Sequence, residues 1–473
     1  MAGELIITVS GLRGIVGENL TPEVAAAYGR AFGTFLCSKT AGEAKLSVCI
    51  GRDSRPSGQS LAAAVAAGLV ATGIDCIDLG LVTTPGVGIM VRHLACAGGV
   101  IVTASHNPAE YNGIKLLLDN GMAPLPDTAE QIKSIFLGKN LTLTEPRNLG
   151  KITGNDQTDA VHIAKVLRII DQKAIAEKRF TVVLDSVNGA GGWPGAKLLT
   201  ELGCKVVPMN NEPTGLFAHP PEPTAENLTT LCQAVKNAHA DVGFAQDPDA
   251  DRLAIVDETG VYIGEEYTLA LAAKLIFSQK TGAACGERPV VSEAEPSRTA
   301  ATNLSTSRML DDIAAAAGGQ VIRTPVGEAN VASAMLEHNC IIGGEGNGGV
   351  IDLRVGPIRD SLVAMALVLQ LLAQTGKTVS RLVGEIPRYC MTKRKFPADK
   401  KQTKIILDAA KKLFPDAKLN TSDGYRFDFK DAWLHVRPSN TEPIIRVIAE
   451  AKDKSTAQKY IDAILNIQKK SAD

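Results

Sequence analysis

Residues 45–80 read KLSVCIGRDSRPSGQSLAAAVAAGLVATGIDCIDLG, and their order decides the fold. An apolar run, KLSVCIG, passes into the polar RDSRPSG. An Ala/Leu-rich segment follows, ends at Gly73 and gives way to a second apolar run, IDCIDLG. Short apolar runs on either side of a helical segment make a strand–helix–strand unit, whose right-handed crossover leaves the two strands parallel. The unit recurs. FTVVLDSVNGAGG, WPGAKLLTELG and CKVVPMN form a second copy over 180–210; RPVVSEAEPSRTAATNLSTSRML, DDIAAAAGG and QVIRTPVG form a third over 288–327. Gly73, Gly203 and Gly319 stand where a helix closes in the left-handed conformation.

The copies lie about one domain's length apart. After them the pattern changes: helix-like IILDAAKKLF precedes strands YRFDF, WLHVR and IIRVIAEA, and the helix STAQKYIDAILNIQKK ends the chain. Consecutive short strands flanked by helices describe an α+β unit with antiparallel sheet. The expected fold is therefore α/β in four domains: three related mixed α/β domains over 1–154, 155–257 and 258–376, and an α+β domain over 377–473. The stretch 292–309, SEAEPSRTAATNLSTSRM, is long for a connection, and nothing in its chemistry explains the length.

With 473 residues the chain exceeds what one core accommodates. A formal net charge of −1 argues against a nucleic-acid partner, which calls for a basic excess. Nine cysteines are scattered with no close pair in the sequence, as expected of small core residues in a reducing compartment. The first residues, MAGELIITVS, carry neither a basic n-region nor a long apolar stretch, and no segment reaches the length of a membrane span. These features suggest a cytoplasmic protein.

One polar loop per domain carries chemistry. TASHNP, 103–108, follows the strand-like GGVIV. Ser105 beside His106 raises the idea of a hydrolase, but adjacent residues rarely align a hydroxyl with an imidazole, and no G-x-S-x-G elbow surrounds the serine; a simple turn is the alternative. QDPDADR, 246–252, sets Asp247, Asp249 and Asp251 within five residues between apolar flanks. Such crowding is relieved by a hard divalent cation, typically Mg²⁺, or else the stretch is a solvated acidic turn. The EF-hand glycine and glutamate are missing. GGEGNGG, 343–349, allows close backbone approach, and Glu345 with Asn347 suits vicinal hydroxyls. RPSNTEP, 437–443, gathers Arg437, Ser439, Asn440 and Thr441 into an anion cradle. A hydroxyl on a polar loop, a metal site, a hydroxyl reader and a phosphate cradle together describe phosphoryl transfer on a polyol phosphate.

The order TASHNP, DPDADR, GEGNGG, RPSNTEP resembles the α-D-phosphohexomutase family of phosphoglucomutase/phosphomannomutase and phosphoglucosamine mutase. SGLRG, VLDSVNGAGG, HPPEPTAENL and RTPVGEANV resemble further family segments in the usual order, so the likeness runs the length of the chain. It implies four domains around one deep cleft and an isomerase that interconverts hexose or hexosamine 1- and 6-phosphates. In that reading Ser105 carries the phosphoryl group, and Asp247, Asp249 and Asp251 hold one Mg²⁺ with a phosphoserine oxygen. A sugar 1,6-bisphosphate is the intermediate and activator. Glu345 and Asn347 read sugar hydroxyls; Arg437, Ser439, Asn440 and Thr441 grip the stationary phosphate. Arg13, Lys115 and Arg252 match cationic positions around the phosphoserine, His106 shapes its loop, and Lys115, if crowded by cations, has a lowered pKa and moves protons. Small-molecule sugar phosphates are then the partners, with no nucleic acid or membrane, and the protein is a monomer or small homo-oligomer.

The likeness departs from the pattern Gly-Glu-x-Ser-Gly-His at two positions, where Asn347 and Gly349 replace serine and histidine. Gly-Asn-Gly-Gly points to a phosphoglucosamine mutase and Thr103 to the phosphoglucomutase/phosphomannomutase branch, so the sugar stays open. A Mg²⁺-dependent sugar phosphatase and a non-catalytic sugar-phosphate binding protein are the competing readings.

Overall fold

The computed structural model describes residues 5–9, 11–39, 45–139, 141–279, 297–439 and 444–472. The first two repeats form as read; the third keeps its order, but its first strand, Ser297–Asn303, lies inside the stretch expected as a connection, and the apolar RPVV falls outside the described residues. Ser47–Arg52 and Asp75–Leu81 flank helix Gly58–Val70; Thr181–Asp185 and Lys205–Met209 flank Gly192–Glu201; Ser297–Asn303 and Gln320–Thr324 flank Met309–Ala316. Each strand pair is parallel. One detail differs: the left-handed residue after the third helix is Gly318, φ +71°, not Gly319. The double glycine allows either register, and the helix stops one residue early. The front of the long 292–309 stretch lies outside the described residues, which resume at Ser297.

In every domain a further strand folds back to make an antiparallel hairpin, and the hairpin turn is the polar loop. Gly98–Val102 turns into Tyr111–Leu118 around TASHNP. Val242–Gln246 turns into Leu253–Asp257 around the aspartates. Cys340–Glu345 turns into Gly349–Ile351 around Asn347, and Ala432–Pro438 pairs with Ile444–Ala451 across the last loop. In the first three domains the leading hairpin strand also pairs in parallel with the first strand of the repeat. The sheets hold seven, four, four and five strands. The seven-stranded sheet gains short edges at Ile6–Thr8 and Ile152–Gly154. The fifth strand of the last sheet is Cys390–Pro397, whose Lys393, Arg394 and Lys395 mask any apolar alternation.

The second and third domains share one core. Helix Ser361–Thr375, SLVAMALVLQLLAQT, is buried on every side, as a helix apolar all round must be, and it belongs to a cluster that takes in Ile89 of the first domain and runs from Ile163 in the second to Ile386, past the expected end of the third at 376. The C-terminal domain keeps its own core, from Phe396 to Ile464. Among the described residues no helix is long and apolar enough to cross a membrane. Two of the scattered cysteines do meet in space: Cys49 and Cys96 bring their sulfurs within 3.4 Å.

The central helix begins beside the acidic loop. Its N-cap, Asp360, accepts from Leu362 N at 2.9 Å and Val363 N at 3.3 Å, and its other oxygen meets His162 Nε2 at 2.6 Å. Asp360→Ala removes a cap and strands a buried imidazole, and we expect about 2–4 kcal/mol of destabilisation by denaturant titration. The exposed cap Asp399 serves as the comparison, its alanine variant costing about 1 kcal/mol. Equal losses for the two would reject the role given to Asp360.

Candidate active site

Residues from all four hairpins line one cavity of about 470 Å³, walled among others by Ser105, Lys115, Arg252, Glu345, Asn347 and Arg437. Arg13, on strand Gly11–Ile15, and His106 also face it. Ser439 lines the cavity, whereas Asn440 and Thr441 lie outside the described residues.

Ser105 is buried in a left-handed conformation, φ +50°, which costs a non-glycine residue about 1–2 kcal/mol. Arg55 holds the strained turn. Its guanidinium donates to the carbonyls of Ser105 at 2.6 Å, Asn107 and Pro108 at 2.7 Å and Tyr111 at 3.0 Å, and its Nε meets Asp53 Oδ2 at 3.1 Å. Thr103 Oγ1 donates to the same oxygen at 2.6 Å and accepts from Ser105 N at 2.8 Å. The strained turn also brings Ser105 Oγ within 3.3 Å of His106 Nδ1, a contact the sequence argument discounted. Burial, then the Arg252 and Arg13 charges, push His106 down to about 2, so the imidazole is neutral. The shorter bond from the hydroxyl goes elsewhere, to Asp247 Oδ2 at 2.9 Å.

Both strands of the acidic hairpin are fully buried, which drags the turn carboxylates inside. Asp247, Asp249 and Asp251 show no exposed surface, and an oxygen from each lies within 4.8 Å of the others. Burial, with Asp251 and Asp249 close by, drives Asp247 well above the usual carboxylate range. Burial opposes charge on Asp249 as well, but Lys115 and Thr84 hold it below its ordinary value. Lys115 Nζ donates to Asp249 Oδ2 at 2.8 Å and lies 3.7 Å from Asp251; Thr84 Oγ1 reaches that Asp249 oxygen at 2.7 Å. The lowered Lys115 pKa expected from cationic crowding is therefore corrected. Burial would depress it, but the two aspartates outweigh burial and raise it. Arg13 does shift downward, chiefly through burial. Arg252 stands 3.7 Å from Asp251 and 4.0 Å from Asp247. Asp249 Oδ1 and Asp251 Oδ1 are buried with no hydrogen-bond partner. Orphaned carboxylate oxygens converging beside a serine hydroxyl fit a hard divalent cation such as Mg²⁺.

Glu345 is embedded in a network rather than bare. It accepts from Asn303 Nδ2 at 2.8 Å, Asn347 Nδ2 at 3.3 Å and Arg359 Nη1 at 2.8 Å. Burial opposes its charge, but Arg359 and Asn303 hold its pKa below the ordinary value. On the fourth loop Arg437 sits directly opposite Arg446 across the antiparallel ladder. Both face the cavity. An anion seated between two guanidinium groups so placed could be held by both. Asp423 Oδ2 steadies the side chain, 3.0 Å from Arg437 Nε, and accepts from Val326 N of the third domain at 3.0 Å.

Sequence reasoning passed over Asp53, Arg55, Thr84, Asn303, Arg359, Asp423 and Arg446. Arg55 lies in the quoted RDSRPSG and Glu328, another cavity residue, in RTPVGEANV; an arginine two residues after an aspartate in a strand-end loop was the available signal for the first. The others stand singly and carry no pattern.

Comparison with known proteins covers nearly the whole chain. Models described as phosphoglucomutase/phosphomannomutase alpha/beta/alpha domains I, II and III match residues 5–142, 160–260 and 267–389, and the C-terminal domain model matches 391–467. A phosphoglucomutase/phosphomannomutase of Thermococcus kodakarensis is 40% identical, covering 96% of each chain. A probable phosphoglucosamine mutase of Methanopyrus kandleri is 35% identical over 97% of this chain and 96% of its own. Among solved structures, a phosphoglucomutase/phosphomannomutase family protein from Burkholderia thailandensis superposes with TM-score 0.85 at 26% identity, covering 100% of this chain and 98% of its own. An N-acetylphosphoglucosamine mutase from Aspergillus fumigatus, solved with GlcNAc-6P and magnesium, shares the fold at TM-score 0.59 and 16% identity, over 98% and 96% of the two chains.

The fourth loop carries a pH signature. His435, fully buried behind it, accepts from Ser305 Oγ at 2.9 Å and donates through Nε2 to the Asp423 carbonyl at 2.7 Å. Burial, against the pull of Asp423, lowers its pKa to about 4. The unfolded chain titrates near 6.5 and binds the extra proton first. Native stability is therefore full above that pH and falls as pH drops toward 4, by about 2 kcal/mol at pH 5 from this group. Thermal melts across pH 5–8 should show His435→Gln losing part of the wild-type acid slope; parallel curves would contradict the assignment.

Proposed function

Since the chain belongs to the phosphoglucomutase/phosphomannomutase family and is a phosphohexomutase, we propose that Ser105 is the residue that carries the phosphoryl group between positions 1 and 6 of a hexose or hexosamine phosphate. The observation behind this is the serine hydroxyl, 2.9 Å from Asp247 in the cavity that also holds the opposed pair Arg437 and Arg446. Phospho-Ser105 gives its phosphoryl group to the free hydroxyl of a bound sugar monophosphate: the Oγ–P bond breaks as the sugar O–P bond forms, and the proton of that hydroxyl ends on the seryl oxygen. The resulting 1,6-bisphosphate turns over in the cavity and returns its other phosphate to the serine.

Asp247, Asp249 and Asp251 with a phosphoserine oxygen would hold one Mg²⁺, which would supply positive charge to the transferring oxygens. Lys115, kept protonated by its aspartate partners, and Arg252 and Arg13 offset phosphate charge near Ser105. His106, neutral, supports the serine turn. Arg437, with Ser439, Asn440 and Thr441, grips the phosphate that stays, and Arg446 joins it from the facing strand. Glu345 and Asn347 meet the sugar hydroxyls. A dedicated second anion grip favours a mutase over a phosphatase, which has no rotated intermediate to hold. The eight described cysteines are free thiols, in keeping with a cytoplasmic enzyme.

Ser105→Ala should abolish transfer in a coupled assay while melting like the wild type. Activity within about tenfold of wild type, less than the usual contribution of a covalent nucleophile, would reject the phosphoseryl role. Arg437→Ala should weaken sugar-phosphate binding by about 1.5–3 kcal/mol, the range of a charge-assisted hydrogen bond, and so raise KM; an unchanged KM contradicts the grip. Run side by side on glucose, mannose and glucosamine 1-phosphates with Mg²⁺ and a trace of bisphosphate, the same assay ranks the sugars. Stoichiometric inorganic phosphate without any 6-phosphate would make the protein a phosphatase instead.

A further inference from the structure

Arg359 belongs to no motif, yet it is 7% exposed and meets three carboxylates carried by three separate segments. Nη2 donates to Asp251 Oδ2 at 2.5 Å and Nη1 to Glu345 Oε2 at 2.8 Å, while Nε stands 3.5 Å from Glu328 Oε2. Its backbone N–H also donates to Glu328 Oε1 at 2.6 Å. A planar guanidinium fixes the directions of its acceptors in a way that a lysine ammonium does not. The stem that carries it runs over Gly349. A methyl group built on Gly349 would lie 2.2 Å from Arg359 Cδ and 2.9 Å from Cγ, and 3.2 Å from Asn347 Oδ1, so the magnesium site, which Asn347 does not touch, is the cleaner reporter of the stem. With its head tied at three points, the stem has no room to step aside.

We propose that Arg359 is a positioning residue that locks Asp251 of the acidic loop and Glu345 of the glycine-rich loop into one frame, and that Gly349 is bare because the arginine stem occupies its side-chain space. The inference rests on assigning Asp251 to the metal and Glu345 to the sugar. It adds that the two sites share one rigid part, so a disturbance of the stem reaches both. A cation that merely neutralised buried acids could shift its stem away from the methyl with neither site disturbed. A frame does not.

The test is a double-mutant cycle on the full chain. Magnesium is titrated calorimetrically with no sugar present, and glucose 6-phosphate is titrated separately, into the wild type, Gly349→Ala, Arg359→Met and the double variant. Gly349→Ala, which touches neither carboxylate, should shift the magnesium Kd and weaken the sugar-phosphate Kd by about fivefold or more each. In the Arg359→Met background the added methyl should change both by no more than about twofold, since neighbours that act through one another are non-additive. A magnesium Kd for Gly349→Ala within about twofold of wild type, or effects that multiply in the double variant, overturns the proposal. If Arg359→Met fails to give a cooperative melt, Arg359→Gln, with a shorter uncharged side chain, takes its place in the cycle, with the same non-additivity expected. Should the wild type bind neither magnesium nor sugar phosphate, the site assignment fails and the link falls with it. Binding by the wild type with multiplying effects rejects the link alone.

Discussion

Three carboxylates buried within 4.8 Å of one another are the constraint around which the rest of the molecule is arranged. Burying an isolated charge is far too costly to tolerate, so each must be matched by a cation or a donor. The matching groups come from all over the chain: Lys115 from a first-domain strand, Thr84 from the start of a first-domain helix, Arg359 from just before the central helix, Ser105 from its own turn. None of these can reach the aspartates unless the domains close on them. The acidic turn therefore acts as the keystone of the domain arrangement as well as a place for a cation.

The same logic explains the strain at Ser105. A left-handed serine is unfavourable by itself, and Arg55, a buried guanidinium, offsets the strain with four carbonyl contacts. The hydroxyl is thereby presented to Asp247 before any substrate arrives. At the far end of the chain Arg437 and Arg446 stand opposite each other across the last hairpin, with Asp423 steadying Arg437.

Much of this was legible in the sequence because local pattern and tertiary role coincide. The three strand–helix–strand repeats are written in apolar periodicity, and the four polar loops stand out because each interrupts a buried hairpin. Where role depends on a distant partner, the sequence is silent. Arg359 and Asp423 are single charged residues in ordinary surroundings, and only the fold shows that one meets three acids and the other pins Arg437 to the third domain. Lys115 shows the same limit in its sign: counting nearby cations suggested a lowered pKa, whereas the two aspartates it meets decide the outcome. Strand Cys390–Pro397 escaped notice because three consecutive basic residues hide its alternation.

The helix Ser361–Thr375 has a consequence for how such a chain can be divided. The repeats suggest interchangeable modules, each with a sheet, a helix and a loop. Yet the helix that closes the third module is packed into the core of the second, and apolar side chains from both surround it. Cutting the chain between these two domains would expose one continuous apolar interior on both pieces. The last domain, with a core of its own, has no such dependence. By their apolar interiors the chain therefore comprises a first domain, a fused central pair and a C-terminal domain tied to the third by polar contacts, although its sequence repeats in threes.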